Sequence, residues 1–481
     1  MKAARDVFVL AGDDCARLGA IALSGLSADT RTLGAGEAFF ALPGARDDGA
    51  RFIAQACAKG AALIVGERAP EMTQTPFLRV RDVRLALARA AARFYDGQPE
   101  TVIAVTGTSG KTSVAAFLRQ IFAALGREAA SLGTIGVVSR SVNIYGSLTT
   151  PDPIALHKLL ARLAQSGVTH LAMEASSHGL DQKRLDGVRL CGGAFTNLSR
   201  DHLDYHPSEE AYFAAKMRLF TQLLPLGAPA VIDADSQRAP RVAAIANTAR
   251  LRVLTVGDQG SAIRVASRVR EGYSTRLTLL AEGKTVDVLL PLTGDFQVSN
   301  ALVAAGLAIG CGESVESTLA TLARLEGAPG RLERIGERAG APVLVDYAHK
   351  PDALEKALDA LRPFVTGQLI VVFGCGGDRD PGKRAMMGAI AAKSADVVIV
   401  TDDNPRSEDP SAIRAAILRA APGALEIGSR AQAIRAGVAM LKPGDALLIA
   451  GKGHESGQIV GSTILPFNDA DEARAALREA A

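Results

Sequence analysis

The sequence predicts an α/β protein of three domains, and three observations carry that prediction. Short apolar runs of strand length alternate with longer runs of helical periodicity along the chain. Proline- and glycine-bearing breaks at Gly97-Gln98-Pro99 and Ala328-Pro329-Gly330 interrupt the alternation and divide the chain into 1–98, 99–328 and 329–481. A length of 481 residues is also more than one hydrophobic core holds together.

The first domain reads as a small mixed α/β unit. Residues 37–42 and 62–65 have the pattern of strands, and 52–59 and 85–95 that of helices. Between them, Leu42-Pro-Gly-Ala45-Arg46-Asp47-Asp-Gly49 is rich in turn formers, and by itself it reads as a connection.

The second domain opens on Val102-Ile-Ala-Val-Thr-Gly107-Thr108-Ser109-Gly110-Lys111-Thr112. The apolar residues predict a buried strand, the two glycines a tight turn, and the run from Val114 to Phe122 a helix. Such a turn aims backbone N–H groups and the positive end of a helix at one point, which suits a phosphate. Lys111 then reaches the terminal phosphates and the Thr112 hydroxyl a magnesium ion, so the stretch reads as an ATP site. The alternative is a glycine-rich turn with a surface lysine. The spacing is shorter than the usual phosphate-loop pattern, because Val105 stands where the earlier glycine belongs. Strand and helix continue to alternate to about Leu325, predicting a central P-loop-type parallel-sheet ATPase domain.

Four polar clusters punctuate this domain. Thr149-Thr150-Pro151 precedes a helix, and the strand His170–Glu174 ends in a carboxylate followed by Ala-Ser176-Ser177-His178. Glu174 reads either as a magnesium ligand, a hard oxygen for a hard cation, or as a helix cap. Downstream of Thr196-Asn197, His202 in Asp201-His202-Leu-Asp-Tyr-His206 reads as a further ligand or as half of a hydrogen-bonded surface pair. Lys216 is either a solvated helix lysine or, given Phe213, Ala214, Ala215 and Phe220 beside it, a buried one. A buried ammonium tends to lose its proton, and a neutral amine can add CO2 to form a carbamate that a metal would bind.

The third domain predicts a Rossmann-like α/β fold. Its strands 343–346, 369–373, 397–400 and 446–449 each end in a polar cluster. These are Tyr347-Ala-His349, the run Gly374 to Arg384 with Arg379, Asp402-Asp403-Asn404-Pro405-Arg406, and Gly451-Lys-Gly-His-Glu455. In open α/β sheets ligands bind beyond the carboxyl ends of strands, so four decorated ends predict a second binding face.

Bulk properties exclude several classes. A net charge of +3 leaves no basic footprint, so no nucleic-acid partner is expected. No apolar run approaches membrane-spanning length. Five scattered cysteines without metal spacing fit a reducing cytosol, hence a cytoplasmic protein.

Together the motifs resemble the ATP-dependent Mur ligases through all three domains. The resemblance rests on Thr106-Gly-Thr-Ser-Gly-Lys-Thr112, Glu174-Ala-Ser-Ser-His-Gly-Leu180, Asp201-His-Leu-Asp-Tyr-His206, Gly376-Gly-Asp-Arg-Asp380 and Gly451-Lys-Gly-His-Glu455. The shortened phosphate loop is the family's own form. It implies that Thr30 and Ala45-Arg46-Asp47 contact the uridine nucleotide of a UDP-N-acetylmuramoyl dipeptide, and that Thr149, Thr150, Ser176, Gln182 and Arg184 contact its muramoyl peptide. Residues 107–112 with Asn300, Arg331 and Asp346 are implied for ATP. Glu174, His202 and Thr112 are implied for Mg2+, with Lys216 carbamylated by CO2 as a further ligand. Lys111, His202 and Lys216 form the implied catalytic set. Arg379, Asp403, Asn404, Pro405, Arg406, Gly451 and Glu455 match the amino-acid pocket. Asp403-Asn-Pro-Arg406 is similar to the signature of members that add meso-diaminopimelate rather than lysine. A monomer is expected.

Three departures from the family pattern stand out: Thr30 for serine, Ala35 for proline, and Gly457 where a tyrosine often lies. Three rival readings follow from the same residues. They are the same ligase using L-lysine, a folylpolyglutamate synthetase-like enzyme sharing the nucleotide core, and a silent ATP-binding partner of a cell-wall complex.

Overall fold

Residues 1–10, 12–44, 48–70, 73–146 and 148–480 are described by the computed structural model. They fall into two units, Met1–Val256 with Gly306–Glu313, and Gly257–Ala305 with Ser314–Ala481. The first unit holds a four-stranded sheet, a parallel-stranded core and a two-stranded ladder of Lys2–Ala3 with Ala22–Leu23; the second holds a meander, a six-stranded sheet and a short hairpin.

The first sheet is parallel, in the order β1 (Gly25–Ser27), β2 (Glu37–Phe40), β3 (Leu63–Gly66), β4 (Phe77–Arg79). Helices α1 (Ile53–Ala58) and α2 (Val83–Phe94) accompany it. Asp82 starts α2 by accepting the Leu85 amide at 2.9 Å, a side-chain N-cap. β2, β3, α1 and α2 match the elements read from the sequence to within a few residues, while β1 and β4 were not read there.

The second sheet is built around β5 (Thr101–Thr106), whose residues Val102 to Val105 are fully buried on both faces. α3 (Lys111–Ala124) follows it, and β6 (Ala129–Gly133), β7 (Gly136–Ser139) and β8 (Asn143–Tyr145) come next. Then come α4 (Pro153–Gln165), β9 (His170–Glu174), the short helix α5 (Ser177–Asp181), β10 (Gly192–Phe195) and α6 (Glu209–Arg218). β11 (Pro229–Asp233), α7 (Ala239–Thr248) and β12 (Arg252–Gly257) complete the series. The strand order is β8-β7-β6-β9-β5-β10-β11-β12. β6, β9, β5, β10, β11 and β12 are parallel to one another, as suits apolar strands covered on both faces. Register places Glu174 beside Val105 and Phe195 beside Thr106. Three strand ends therefore meet at the phosphate loop.

Strands outside that parallel core depart from the expected strand-helix alternation. β7 and β8 run antiparallel at the edge. In the second unit β13 (Ile263–Glu271), β14 (Ser274–Ala281) and β15 (Lys284–Leu290) form an antiparallel meander. Its second turn is a two-residue one with Glu282 at φ 49° and Gly283 at φ 73°. Both positive values match the twist of a hairpin, although glutamate is unusual there. α8 (Asp295–Gly310) and α9 (Val315–Thr321) follow.

The third sheet contains β16 (Glu333–Arg338), β17 (Ala341–Asp346), α10 (Pro351–Leu361), β18 (Leu369–Phe373), α11 (Gly382–Ser394), β19 (Val397–Val400), α12 (Pro410–Leu418), β20 (Leu425–Glu426), α13 (Arg430–Met440) and β21 (Ala446–Ala450). Its order is β16-β17-β21-β18-β19-β20, parallel from β17 to β20. A hairpin of β22 (Gly457–Val460) and β23 (Thr463–Pro466) precedes the last helix, α14 (Asp469–Glu479). The side chains of β18 are all buried, and each large one contributes roughly 1.5–3 kcal/mol of apolar transfer.

Candidate active site

The phosphate loop is fastened from behind by the segment after β10. The Thr108 amide donates to the Asn197 carbonyl at 2.9 Å, and the Ser109 amide to Asn197 Oδ1 at 3.0 Å. Thr196 Oγ1 donates to the Ser109 carbonyl at 2.6 Å. Gly107 has to be glycine: its φ is 147°, and a Cβ there would lie 1.9 Å from Thr196 Oγ1. Gly110, at φ 87°, turns the chain into α3, leaving the first-turn amides of that helix without helical partners. Lys111 Nζ donates to the Gly107 and Thr108 carbonyls at 2.9 and 2.8 Å.

Glu174 is buried at the end of β9, and its carboxylate is held on two sides. Oε1 accepts the Thr112 hydroxyl at 3.0 Å and the Thr134 amide at 2.8 Å, while Oε2 accepts the Thr134 hydroxyl at 3.3 Å. Thr134 Oγ1 lies 3.0 Å from Thr149 Oγ1. Thr150 Oγ1 donates to the Glu174 carbonyl at 2.9 Å and accepts the Ser176 amide at 3.0 Å. Ser176 Oγ caps α5 through the Gly179 amide at 3.0 Å. Arg184 donates to the Thr150 carbonyl at 2.6 Å and to Gln182 Oε1 at 2.8 Å. Thr149, Thr150, Ser176, Gln182 and Arg184, distant in sequence, thus form one network that reaches Glu174. Thr134 is the link that sequence reasoning missed. It lies in the tight turn between β6 and β7, where a threonine carries no signal of its own.

Lys216 is only 1% exposed, which removes the reading of a solvated helix lysine. Its Nζ donates to the Gly107 carbonyl at 2.8 Å and lies 4.3 Å from the centre of the Tyr212 ring. Burial pushes its pKa far below the ordinary lysine value; Lys111 adds to that push and Asp201 opposes it. Tyr212 itself stands 3.1 Å from Thr108 Oγ1, hydroxyl to hydroxyl. His202 is half-exposed at φ 54°, packed against the rings of His178 and Tyr212 at 5.0 and 5.9 Å. Its Nε2 is 3.8 Å from Asp201 Oδ2, while its amide donates to Asp201 Oδ1 at 2.9 Å.

In the first sheet, Thr30 is buried and donates to Gln55 Oε1 at 2.8 Å. Its hydroxyl does here what a serine could also do. Ala45, Arg46 and Asp47 lie outside the described residues.

In the second unit, Asn300 Nδ2 donates to Gln297 Oε1 at 3.2 Å, and Gln297 in turn to the Arg331 carbonyl at 2.9 Å. Asp346 accepts the Leu332 and Ala348 amides, each at 2.8 Å, and burial raises its pKa against the pull of Arg331. Arg331 lies over the Tyr347 ring at 5.2 Å. The loops after β18, β19 and β21 are laced together. Arg406 donates from Nη1 to the Gly377 carbonyl at 2.8 Å, and the Gly377 amide to the Asn404 carbonyl at 2.9 Å. Arg406 sits at φ 52° and is held by the hairpin, its amide on the Ile459 carbonyl at 3.0 Å. Asp403 is buried, and a Cβ on Gly451 would come within 2.7 Å of its Oδ2. Asn404 Nδ2 donates to Glu455 Oε2 at 3.0 Å. Arg379 is exposed and donates to the Asp378 carbonyl at 3.2 Å; Pro405 is buried. Gly457 begins β22, where a Cβ would meet Ile464 Cγ2 at 2.7 Å, so the missing side chain makes room for the partner strand. Two fully buried cations underlie this face and escaped sequence reasoning, Lys452 and Arg430, the latter paired with Asp469 at 2.7 Å.

A nucleotide-type loop meeting a buried strand-end carboxylate, in a chain that also carries a separate α/β sheet with its own polar strand ends, defines an ATP-dependent ligase of the Mur type. The chain belongs to the Mur ligase family: family models described as Mur ligase family catalytic domain, Mur ligase middle domain and glutamate ligase domain match residues 22–95, 105–308 and 330–453. It is 59% identical over 475 residues, 97% of this chain and 98% of the relative, to a UDP-N-acetylmuramoyl-L-alanyl-D-glutamate--2,6-diaminopimelate ligase of Bradyrhizobium diazoefficiens. A protein of the same name from Mesorhizobium japonicum is 58% identical over 462 residues, 95% of this chain and 96% of the relative. A solved structure titled for that ligase superposes with a TM-score of 0.74 at 32% identity, covering 99% of each chain.

Proposed function

We propose that the protein adds meso-2,6-diaminopimelate to UDP-N-acetylmuramoyl-L-alanyl-D-glutamate at the expense of ATP, a step in making peptidoglycan precursors. The observation that carries the reading is the double engagement of Glu174. Its Oε1 takes both the Thr112 hydroxyl of the phosphate loop and the Thr134 amide, and Oε2 takes the Thr134 hydroxyl, which leads to Thr149 and the Thr150–Arg184 network. A phosphoryl donor and a peptide acceptor would therefore share one anchored carboxylate.

The work divides over three stretches, each with its own sheet: 1–98 for the UDP-sugar, 99–328 for ATP and ligation, and 329–481 for the amino acid. A carboxylate is a poor acyl donor, so the glutamyl γ-carboxylate first takes the terminal phosphoryl group of ATP, giving an acyl phosphate and ADP. The amine of the amino acid, once neutral, attacks the acyl carbon, loses a proton and expels phosphate. The chain's part is positioning and charge. Amides opening α3 and the Lys111 ammonium serve the phosphates, while Thr150 and Arg184 orient the peptide. The donor set fits magnesium: Glu174 and Thr112 offer hard oxygens, with His202 and a carbamylated Lys216 as further ligands. Among the described residues no three His, Cys, Asp or Glu side chains converge, so phosphate and water would complete the shell. Magnesium, when bound, supplies positive charge to the phosphoryl group in flight. Lys216 is suited to take CO2 because burial pushes its pKa down and so favours the neutral amine.

No helix among the described residues is long and apolar enough to cross a membrane. Five free cysteines favour a cytosolic setting, and residues for all three substrates on one chain favour action as a monomer. The test is phosphate release with purified protein and ATP. Release is expected only when UDP-muramoyl dipeptide and diaminopimelate are both present. Release with L-lysine at an equal or higher rate assigns a different amino acid, and no release with either assigns a silent ATP-binding protein.

A further inference from the structure

We propose that Lys452 is a positioning residue for the amino-acid pocket, fixing Asn404 and Glu455 so that one Glu455 oxygen is left for an incoming ammonium. The inference rests on the reading of this face as the amino-acid site. Lys452 is fully buried, and its Nζ donates to Asn404 Oδ1 at 3.1 Å and to Glu455 Oε2 at 3.0 Å. Asn404 closes the triangle by donating from Nδ2 to the same Glu455 oxygen at 3.0 Å. Its Oδ1 also accepts the Ile459 amide at 2.9 Å, which ties the triangle to β22 and so to the strand that holds Arg406.

This arrangement has one consistent orientation. Asn404 Oδ1 accepts two donors, so turning the amide over would set its NH2 against the Lys452 ammonium and the Ile459 amide. Both bonds to Glu455 end on Oε2, and among the described residues Oε1 accepts none. Glu455 keeps 29% of its side chain exposed while Lys452 keeps none, so the lysine stands behind the carboxylate and the open oxygen is available to a ligand. Charge follows the same plan. Arg430 is balanced by Asp469, Lys452 by Glu455, and the buried Asp403 has no ion-pair partner among the described residues. Arg406 on the same face also lacks an ion-pair partner among the described residues, so it is the open Glu455 oxygen, not an uncompensated charge, that an ammonium would meet. A buried ammonium is tolerated only with its partners in place, so Lys452 and Glu455 fix each other.

The experiment measures steady-state kinetics of full-length wild type, Lys452→Met, Glu455→Gln and the double variant, with folding checked by circular dichroism. Wild type must first release phosphate with diaminopimelate; failure there overturns the proposed function, not the role of Lys452. Given activity, Lys452→Met is expected to raise KM for diaminopimelate about ten- to a hundredfold, the loss of a charge-assisted hydrogen bond, with kcat and the KM for ATP changed less than about threefold. In the Glu455→Gln background the same substitution should add less than about twofold, because the lysine acts through that carboxylate. A merely structural lysine would lower kcat with KM unchanged and act equally in both backgrounds, and that result overturns the inference. If the methionine variant does not fold, Lys452→Gln, which is one bond shorter but keeps an uncharged donor, carries the same comparison.

Discussion

Gly133 decides whether Glu174 can stand beside Thr112. A Cβ at position 133 would lie 2.0 Å from Glu174 Oε1, and the carboxylate, the mobile partner, would have to leave. Gly133→Ala is therefore expected to cut kcat and raise the magnesium needed for half-maximal rate by at least about tenfold, the usual cost of disturbing a ligand's support. Binding of UDP-muramoyl dipeptide, followed by calorimetry, should stay within a few-fold. Unchanged magnesium dependence would remove Glu174 from the metal site. Lys216 makes a second prediction at this scale. Incubation with 13C-bicarbonate should give a carbamate resonance in wild type that Lys216→Met lacks, along with lower activity in the variant. An active wild-type enzyme without that resonance would contradict the assignment. Sequence alone left Lys216 open between solvent and core, because burial of a helix position depends on what packs over it. Here that is Tyr212 on its own helix and the Gly107 carbonyl from the phosphate loop.

Helix α4 carries a buried histidine, and it makes the fold sensitive to acid. His157 is 3% exposed, and its Nε2 lies where a Cβ on Gly187 would come within 2.7 Å, with Ala88 of α2 close by. Burial, with Arg189 assisting, lowers its pKa to about 4. The unfolded chain binds the proton from about pH 6.5 downward and the folded chain does not, so stability is full above pH 6.5 and falls between there and pH 4. His157 alone should cost about 2 kcal/mol at pH 5 relative to pH 7.5. Urea unfolding at the two pH values should show wild type losing that much more than His157→Leu, and equal losses would remove His157 as the cause. Elements were legible in the sequence where the interior of a strand is an unbroken apolar run, as in β5, β9 and β18. The meander 263–290 was not, because its outward residues are polar and its second turn uses Glu282-Gly283 rather than an Asn-Gly pair. The charged residues under the pocket were hidden for a related reason. Lys452 and Arg430 look like surface cations until β21 and α14 close over them.

At the scale of the whole molecule the central claim is which amino acid is joined, and Arg406 is the residue proposed to read it. Lysine and diaminopimelate share a chain and an attacking amine, but the second has another carboxylate at its far end. One guanidinium N–H of Arg406 is committed to the Gly377 carbonyl, and Ile459 fixes its backbone, so the remaining donors form a held fork. A fork of this kind matches a carboxylate through two charge-assisted hydrogen bonds. At roughly 1.5–3 kcal/mol each, those bonds give about a hundredfold preference or more. Lysine would instead set its terminal ammonium toward the guanidinium. The most direct measurement is kcat/KM for meso-diaminopimelate and for L-lysine in wild type and in Arg406→Ala. Wild type is expected to prefer diaminopimelate by about a hundredfold or more, and Arg406→Ala to remove most of that preference by lowering the diaminopimelate rate alone. A wild-type preference for lysine, or an equal fall in both rates in the variant, would contradict the account.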